Sequence, residues 1–268
     1  MEYAYEHFSR SLLRQDLSFG EGPKPGDTLP AFDLPTADGG RLRKSDLAGR
    51  PALLNFGSIT CPMTRSATPA LKRLHRKLGD RVAFVTVYVR EAHPGDRYRQ
   101  PTSFDEKLEY ARDLVARDRL PWPVAVDDLE GSFHRSLDPK PNSAYLVDAD
   151  GRVVFRALWA NDLRAVRKAL RRLLRGDPRA EGERVARLLP MLRGAGVMRE
   201  TLGAAGPTAK RDFRRHLLPA YTLGTVAAVF RPLPPLGRAV AGLVTMLFAV
   251  TAAGVAAARV LGRREGWT

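Results

Sequence analysis

Val82-Ala83-Phe84-Val85-Thr86-Val87-Tyr88-Val89 is an almost unbroken apolar run. A strand with one face in water alternates apolar and polar side chains, so a run of this kind predicts a central parallel strand covered on both faces. Parallel neighbours need crossover connections, usually helices, between them. The sequence supplies those helices. Ala52–Phe56 reads as a second buried strand, and Met63–Leu78 between the two as a helix, with Leu71, Leu74 and Leu78 on one face and Gly79 as its stop. Ser103–Arg117 reads as the next helix, with Ser103 as N-cap and Glu106 completing a capping-box pattern. Val124–Val126 is a third strand. Ala144–Asp148 and Arg152–Arg156 around Ala149-Asp150-Gly151 read as a hairpin. Asp162–Leu174 is a basic helix with Leu163, Val166, Leu170, Leu173 and Leu174 on one face. This order predicts a three-layer α/β/α sandwich with a mixed central sheet.

The sandwich is expected over residues 22–176, after an N-terminal arm at 1–21 and a turn-rich entry holding a strand at Ala31–Leu34. Its boundary is expected near Gly176-Asp177-Pro178. Residues 177–238 read as a basic helical linker with no sheet pattern. It holds a short amphipathic helix at Val185–Val197 and an apolar stretch, Leu217–Phe230, interrupted by Pro219. Residues 239–258 carry no charge and are flanked by Arg238 and by Arg259, Arg263 and Arg264. Twenty such residues match the ~30 Å apolar thickness of a bilayer, which predicts a transmembrane helix.

The single cysteine, Cys61, follows the strand Ala52–Phe56 through Gly57-Ser58-Ile59-Thr60 and precedes Pro62, a residue suited to the first helical position. A thiol at a helix start meets unpaired N–H groups and a partial positive charge, both of which favour thiolate. A buried structural cysteine needs neither feature. Cys61 is therefore the candidate nucleophile, with a depressed pKa expected. His93 follows the neighbouring strand, and parallel strands joined by a right-handed crossover end on the same edge, so the two can meet across a crevice. An imidazole there can hold or deliver a proton. Glu91 is read as orienting His93 or as a solvated carboxylate. Ser58 and Thr60 can donate hydrogen bonds toward the sulfur. Thr64 stands where a dithiol thioredoxin has its second cysteine, so an external thiol reductant must resolve any adduct.

Segment 22–62 resembles the redoxins of the thioredoxin superfamily, through Gly26-Asp27, Leu34-Pro35-Thr36, Asp38-Gly39, Leu47-Ala48-Gly49-Arg50-Pro51 and the apolar strand into Thr60-Cys61-Pro62. A closer resemblance is to the iodothyronine deiodinases. It rests on Asn55-Phe56-Gly57-Ser58 before Cys61-Pro62, on Val87-Tyr88-Val89-Arg90-Glu91-Ala92-His93-Pro94-Gly95-Asp96, on Pro123-Val124-Ala125-Val126-Asp127 and on the Trp159 segment, over about residues 20–175. The resemblance implies a thioredoxin-like fold, oxidoreductase activity, a redox-active cysteine at the position that is usually selenocysteine, and an active-site role for His93. The family's second histidine has no counterpart in Tyr110-Ala111-Arg112-Asp113-Leu114, and its membrane anchor is N-terminal, where this chain is polar. Trp159 itself is read as a core residue.

The formal net charge of +15 divides into +7 over residues 1–176 and +8 over residues 177–268. No nucleic-acid motif or aromatic-interleaved basic patch accompanies it, which leaves a membrane surface as the expected partner. No signal-peptide pattern opens the sequence, and one cysteine cannot form an internal disulfide. The expectation is a membrane-associated enzyme with a cytoplasmic catalytic domain, no bound cofactor or metal, a small-molecule substrate and a thiol reductant, with a homodimer left open. The favoured activity is thiol-dependent reduction, including dehalogenation of an iodoaromatic. The alternatives are a single-cysteine peroxidase, a disulfide reductase, or a non-catalytic membrane-tethered binding module. Ser58 fits the hydroxyl position of the peroxidase pattern, but Leu54 replaces its proline.

Overall fold

The computed structural model describes residues 3–177 and 182–265, with side chains described as far as Ala256. A short helix, α1 (Arg10–Gln15), lies in the N-terminal arm. An antiparallel pair follows, β1 (Asp33–Pro35) with β2 (Arg41–Arg43). The sandwich proper runs β3 (Ala52–Gly57), α2 (Pro62–Leu78), β4 (Ala83–Tyr88), α3 (Phe104–Asp118), β5 (Val124–Val126), α4 (Ser132–Ser136), β6 (Ala144–Val147), β7 (Val153–Ala157) and α5 (Leu163–Leu173). The chain continues through β8 (Gly182–Arg184), α6 (Leu188–Ala205), α7 (Pro207–His216), α8 (Leu218–Ala227) and α9 (Pro235–Glu265).

The main sheet has the order β5-β4-β3-β6-β7-β8. β3, β4 and β5 are mutually parallel, and β6 and β7 turn back antiparallel as the predicted hairpin. Alternation along β3 divides the core between the two faces. Leu53 packs with Leu71 and Leu74 of α2 and Val166 and Leu170 of α5, while Leu54 and Phe56 pack with Leu29, Leu47, Phe133 and Leu137 on the other side. α3 covers β4 and β5 through Tyr110, Ala111 and Leu114. This is a thioredoxin-like three-layer fold with a helical C-terminal region.

Four local expectations need correction. The sheet does not end with the hairpin, because β8 pairs in parallel with β7 through Gly182, Glu183 and Arg184. Edge pairing is made by the backbone, so these three polar residues carried no strand pattern. Pro178 of the expected boundary lies outside the described residues. The helix expected at Val185–Val197 runs instead over Leu188–Ala205. Its Gly194 packs so closely on α2 that a Cβ there would lie 2.6 Å from Met63 Sδ. Pro219 does not interrupt its helix but occupies the first turn of α8, where no N–H is needed. Ser103 caps α3 as expected, accepting from Glu106 N at 3.2 Å, but the Glu106 carboxylate takes the Thr102 N–H at 2.8 Å in place of a reciprocal bond to Ser103.

α9 has two parts. Its start packs against α6 and α8, with Ala239 fully buried. Beyond it Leu243, Leu247, Phe248 and Val250 are exposed. The stretch Pro235–Ala256 is 22 residues long, and only 11% of its apolar window is buried in the protein. Length and composition suffice to cross a membrane. The flanking Arg259, Arg263 and Arg264 side chains lie outside the described set.

Candidate active site

β3 delivers the chain into the turn Ser58-Ile59-Thr60, and Cys61 is the N-cap of α2 with Pro62 in its first turn. The turn closes with Cys61 N–H donating to Ser58 O at 3.2 Å, and the helix opens with Arg65 N–H donating to Cys61 O at 3.1 Å. Gly57 is required here, because a Cβ would sit 2.3 Å from Thr64 Oγ1. Asn142, just before β6, donates to Phe56 O at 2.9 Å and to Thr64 Oγ1 at 3.2 Å, fixing the first turn of α2 against the sheet.

The loop after β4 is bonded to that turn. Ala92 N–H donates to Ser58 Oγ and His93 N–H to Thr60 Oγ1, each at 3.2 Å. The Glu91 carboxylate accepts from Thr60 Oγ1 at 2.5 Å, from Thr60 N at 3.2 Å, and from the Tyr88 hydroxyl. Gln100 brackets Glu91 from behind, accepting its N–H at 3.0 Å and donating to its carbonyl at 2.8 Å. Ser58, Thr60, Cys61, Thr64, Glu91 and His93 thus belong to one edge of the sheet, as the parallel β3–β4 register requires.

Their electrostatics differ from expectation. Cys61 is only 1% exposed, and burial pushes its thiol up rather than down. The Thr64 hydroxyl and the Thr64 and Met63 N–H groups at the head of α2 pull the other way. The helix-start effect is present, but desolvation of the thiolate outweighs it. Burial also pushes His93 down to about 3, so its imidazole is neutral at neutral pH. Its Nδ1 is buried with no hydrogen-bond partner, and its ring lies against Phe8 and Phe213 at centroid distances of 4.5 and 5.3 Å. Glu91 neither orients His93 nor is solvated. It is fully buried, its pKa is raised to about 7 by that burial, and it is turned toward Thr60 and Tyr88.

Ser58 and Thr60 serve the His93 loop rather than the sulfur in the bonds observed, while Thr64 does act on the sulfur. Trp159 is buried, as read. Tyr88, Gln100, Asn142, Phe8, Phe213 and Asp16 were not anticipated. Tyr88 stands three residues before Glu91 and ends the apolar strand β4 with a hydroxyl, which is a usable signal. Phe8 and Phe213 come from segments far apart in the chain and carry no local signal. Asp16, in the arm, is raised to about 7 by burial and itself holds the Cys61 thiol up. Among the described residues no group of three or more His, Cys, Asp or Glu side chains could hold a metal ion.

A lone thiol heading the first crossover helix of a thioredoxin-like sheet, with a histidine on the exit of the neighbouring strand, defines a single-cysteine redoxin. Residues 3–149 match the family model described as iodothyronine deiodinase. The chain belongs to the iodothyronine deiodinase family. A thyroxine 5-deiodinase of Gallus gallus is 31% identical over 150 residues, covering 51% of this chain and 57% of that protein. The thyroxine 5-deiodinase of Aquarana catesbeiana is 38% identical over 154 residues, covering 53% and 56%. A type II iodothyronine deiodinase of Fundulus heteroclitus is 30% identical over 115 residues, covering 38% and 43%. The chain thus spans about half the length of these curated relatives or less. Among solved structures, the thioredoxin domain of a thiol-disulfide oxidoreductase from Bacteroides vulgatus is 21% identical, with a TM-score of 0.42, covering 54% of this chain and 96% of that one.

Proposed function

We propose that the protein is a membrane-anchored, thiol-dependent reductase that removes iodine from an iodoaromatic, with Cys61 as nucleophile. The observation that carries this reading is the position of Cys61 at the head of α2, with the Thr64 hydroxyl and two backbone N–H groups around its sulfur, inside the stretch matched to the family. In the reaction, Sγ attacks iodine. The carbon–iodine bond breaks, a sulfur–iodine bond forms, and the ring carbon takes a proton. The neutral His93 imidazole suits the proton's passage from thiol to carbon. A thiol RSH then displaces iodide from the sulfur, releasing a proton and leaving a mixed disulfide on Cys61. A second RSH releases RSSR and restores the thiol. One aryl iodide and two thiols become one arene, iodide, a proton and a disulfide.

The chain holds no second cysteine, so both electrons come from outside. Ser58 and Thr60 are positioning residues, holding the backbone of Ala92 and His93. Glu91 keeps a proton near neutrality and ties Thr60 to Tyr88. α9 supplies the anchor, with the catalytic domain on the cytoplasmic side. The test offers the purified full chain an iodophenol, hydrogen peroxide and a model disulfide, each with excess dithiol. Iodide release with wild-type protein and none with Cys61→Ser supports the reading. Turnover confined to peroxide or disulfide would replace it.

A further inference from the structure

α5 buries one face and charges the other. Val166 and Leu170 are buried against the sheet, while Arg164, Arg167 and Arg171, at spacings of three and four, stand exposed. α2 repeats the pattern: Leu71 and Leu74 are buried, and Arg73, Arg76 and Lys77 are exposed. These two basic faces wall a groove of about 470 Å³, lined also by Arg193 of α6 and by Leu74, Leu78 and Leu163. Among the described residues no carboxylate lines it. Asp118 beside α2, Asp162 at the head of α5 and Glu200 of α6 are each paired with cations outside the groove: Arg65 and Arg117, Arg184, and Arg231 and Arg238 respectively. Arg73 with Lys77 and Arg167 with Arg171 are like charges four residues apart, an arrangement that costs each helix stability until an anion lies beside it.

α6 joins this groove to the apolar helix. Arg193 is steadied by donating to Asn161 O at 3.0 Å. One turn further along α6, Gly196 receives the start of α9 so closely that a Cβ there would lie 1.9 Å from Pro235 O. In the first turn of the same helix Leu188 and Leu189 are 71% and 50% exposed. A cationic groove, two bare leucines and the head of a helix long enough to cross a membrane therefore share one element. The active-site edge lies apart from them: Cys61 heads α2, and the groove uses residues 70–78 at its other end.

We propose that the groove between α2 and α5 seats the phosphates of anionic lipid headgroups, so that the α/β domain lies on the membrane surface by this face. Guanidinium groups match phosphate in charge and in bidentate geometry. Basic side chains beside a membrane helix are drawn to an anionic leaflet, and exposed leucines at the same place can enter its headgroup layer. A single-stranded nucleic acid would want rings on which its bases stack, and the uncharged side chains of this groove are Ala and Leu. Docking by this face leaves the Cys61 end of α2 clear of the lipid. That a bilayer lies within reach rests on the α9 anchor proposed above; that the groove takes lipid phosphate does not.

The experiment places the full chain in bilayer nanodiscs of phosphatidylcholine alone or of phosphatidylcholine with phosphatidylserine. Acetylation of Lys77, in the groove, is timed by mass spectrometry against that of Lys24, an exposed lysine outside it. Lys77 should be acetylated at least about fivefold more slowly in the anionic discs, the effect of one basic side chain at an anionic surface, while Lys24 is unchanged. About 1 M salt, where the screening length is ~3 Å, should abolish the difference without releasing the chain from the discs. The variant carrying Arg164→Gln, Arg167→Gln and Arg171→Gln should lose most of the protection with its fold intact, because all three side chains are exposed. Equal Lys77 rates in the two kinds of disc overturn the proposal and leave the anchor standing. So does protection by a polyribonucleotide where anionic discs give none. If the chain is soluble and enters neither disc, the anchor reading falls, and protection of Lys77 by added phosphatidylserine vesicles upholds the groove alone.

Discussion

The turn at Ser58–Cys61 and the arm that packs on the neighbouring His93 loop are held by different means. The turn is built from the sheet outward: β3 and β4 fix its two strands, Asn142 pins Thr64, and Ser58 and Thr60 bond the His93 loop. The arm is laid on from outside by side-chain bonds and by the rings of Tyr3, Tyr5, Phe8 and Phe19. The difference teaches that position and exposure are set separately. The core decides where Cys61 and His93 stand, and the arm and α7 close over the His93 ring from outside it.

The largest expected contrast is in stability. Leu54 is fully buried in β3, so Leu54→Ala should cost ~2–5 kcal/mol, as large-to-small core changes do. Leu12 in α1 is only partly buried, and Leu12→Ala should cost less than about 1 kcal/mol. Denaturant midpoints measure both. Equal losses would show that the arm is part of the cooperative core, and the comparison would fail.

A second difference is in pH dependence. His93 and His134 each titrate near 3 in the fold against an ordinary 6.5. Their unfolded forms take protons first, so stability falls as pH drops below 6.5 toward 3. Glu91 acts in the opposite sense. Between its ordinary 4.5 and about 7 the fold keeps a proton that the unfolded chain has lost, so stability falls as pH rises through that window. Glu91→Gln should remove that fall, and relative to wild type should gain up to about 3 kcal/mol at pH 8 over pH 4.5. An unchanged stability profile would mean that Glu91 is ionised in the fold.

The smallest expected effect comes from the far end of the chain. The exposed part of α9 begins after Gly242, while its first turns pack against α6 and α8. A chain ending at Gly242 should leave the carbonate-washed membrane fraction that retains the full chain, with stability changed by under about 1 kcal/mol. A cut at Gly176 should be far more damaging, because it removes β8 from the sheet edge and α6 from Met63. Full-length protein soluble without detergent would show that α9 is not an anchor.

Much of the frame could be read from the residues. Periodicity is a local property, so the strands at Ala52 and Val82, the helix after Cys61 and the hairpin around Gly151 were legible. The edge strand β8 was not, because its Gly-Glu-Arg has no apolar alternation and its side-chain partners, Arg156 and Asp162, are distant in sequence. At the site, spacing brought Cys61 and His93 to the same sheet edge, but charge state was beyond local reading. The helix start favours thiolate, and that much follows from Cys61-Pro62. The burial that overrides it is a property of the packed tertiary structure, and the Asp16 carboxylate in the arm adds to it. Glu91 was likewise misjudged because its partners, Thr60 and Gln100, approach from other parts of the fold.

The central claim is that Cys61 attacks iodine and an outside thiol restores it. The direct measurement is iodide released from 4-iodophenol by full-length protein, followed against added dithiol for wild type and Cys61→Ser. The account predicts release that stops when dithiol is withheld and falls at least about a hundredfold in Cys61→Ser, as expected when the nucleophile of a covalent mechanism is removed. Iodide released by Cys61→Ser at the wild-type rate would contradict it.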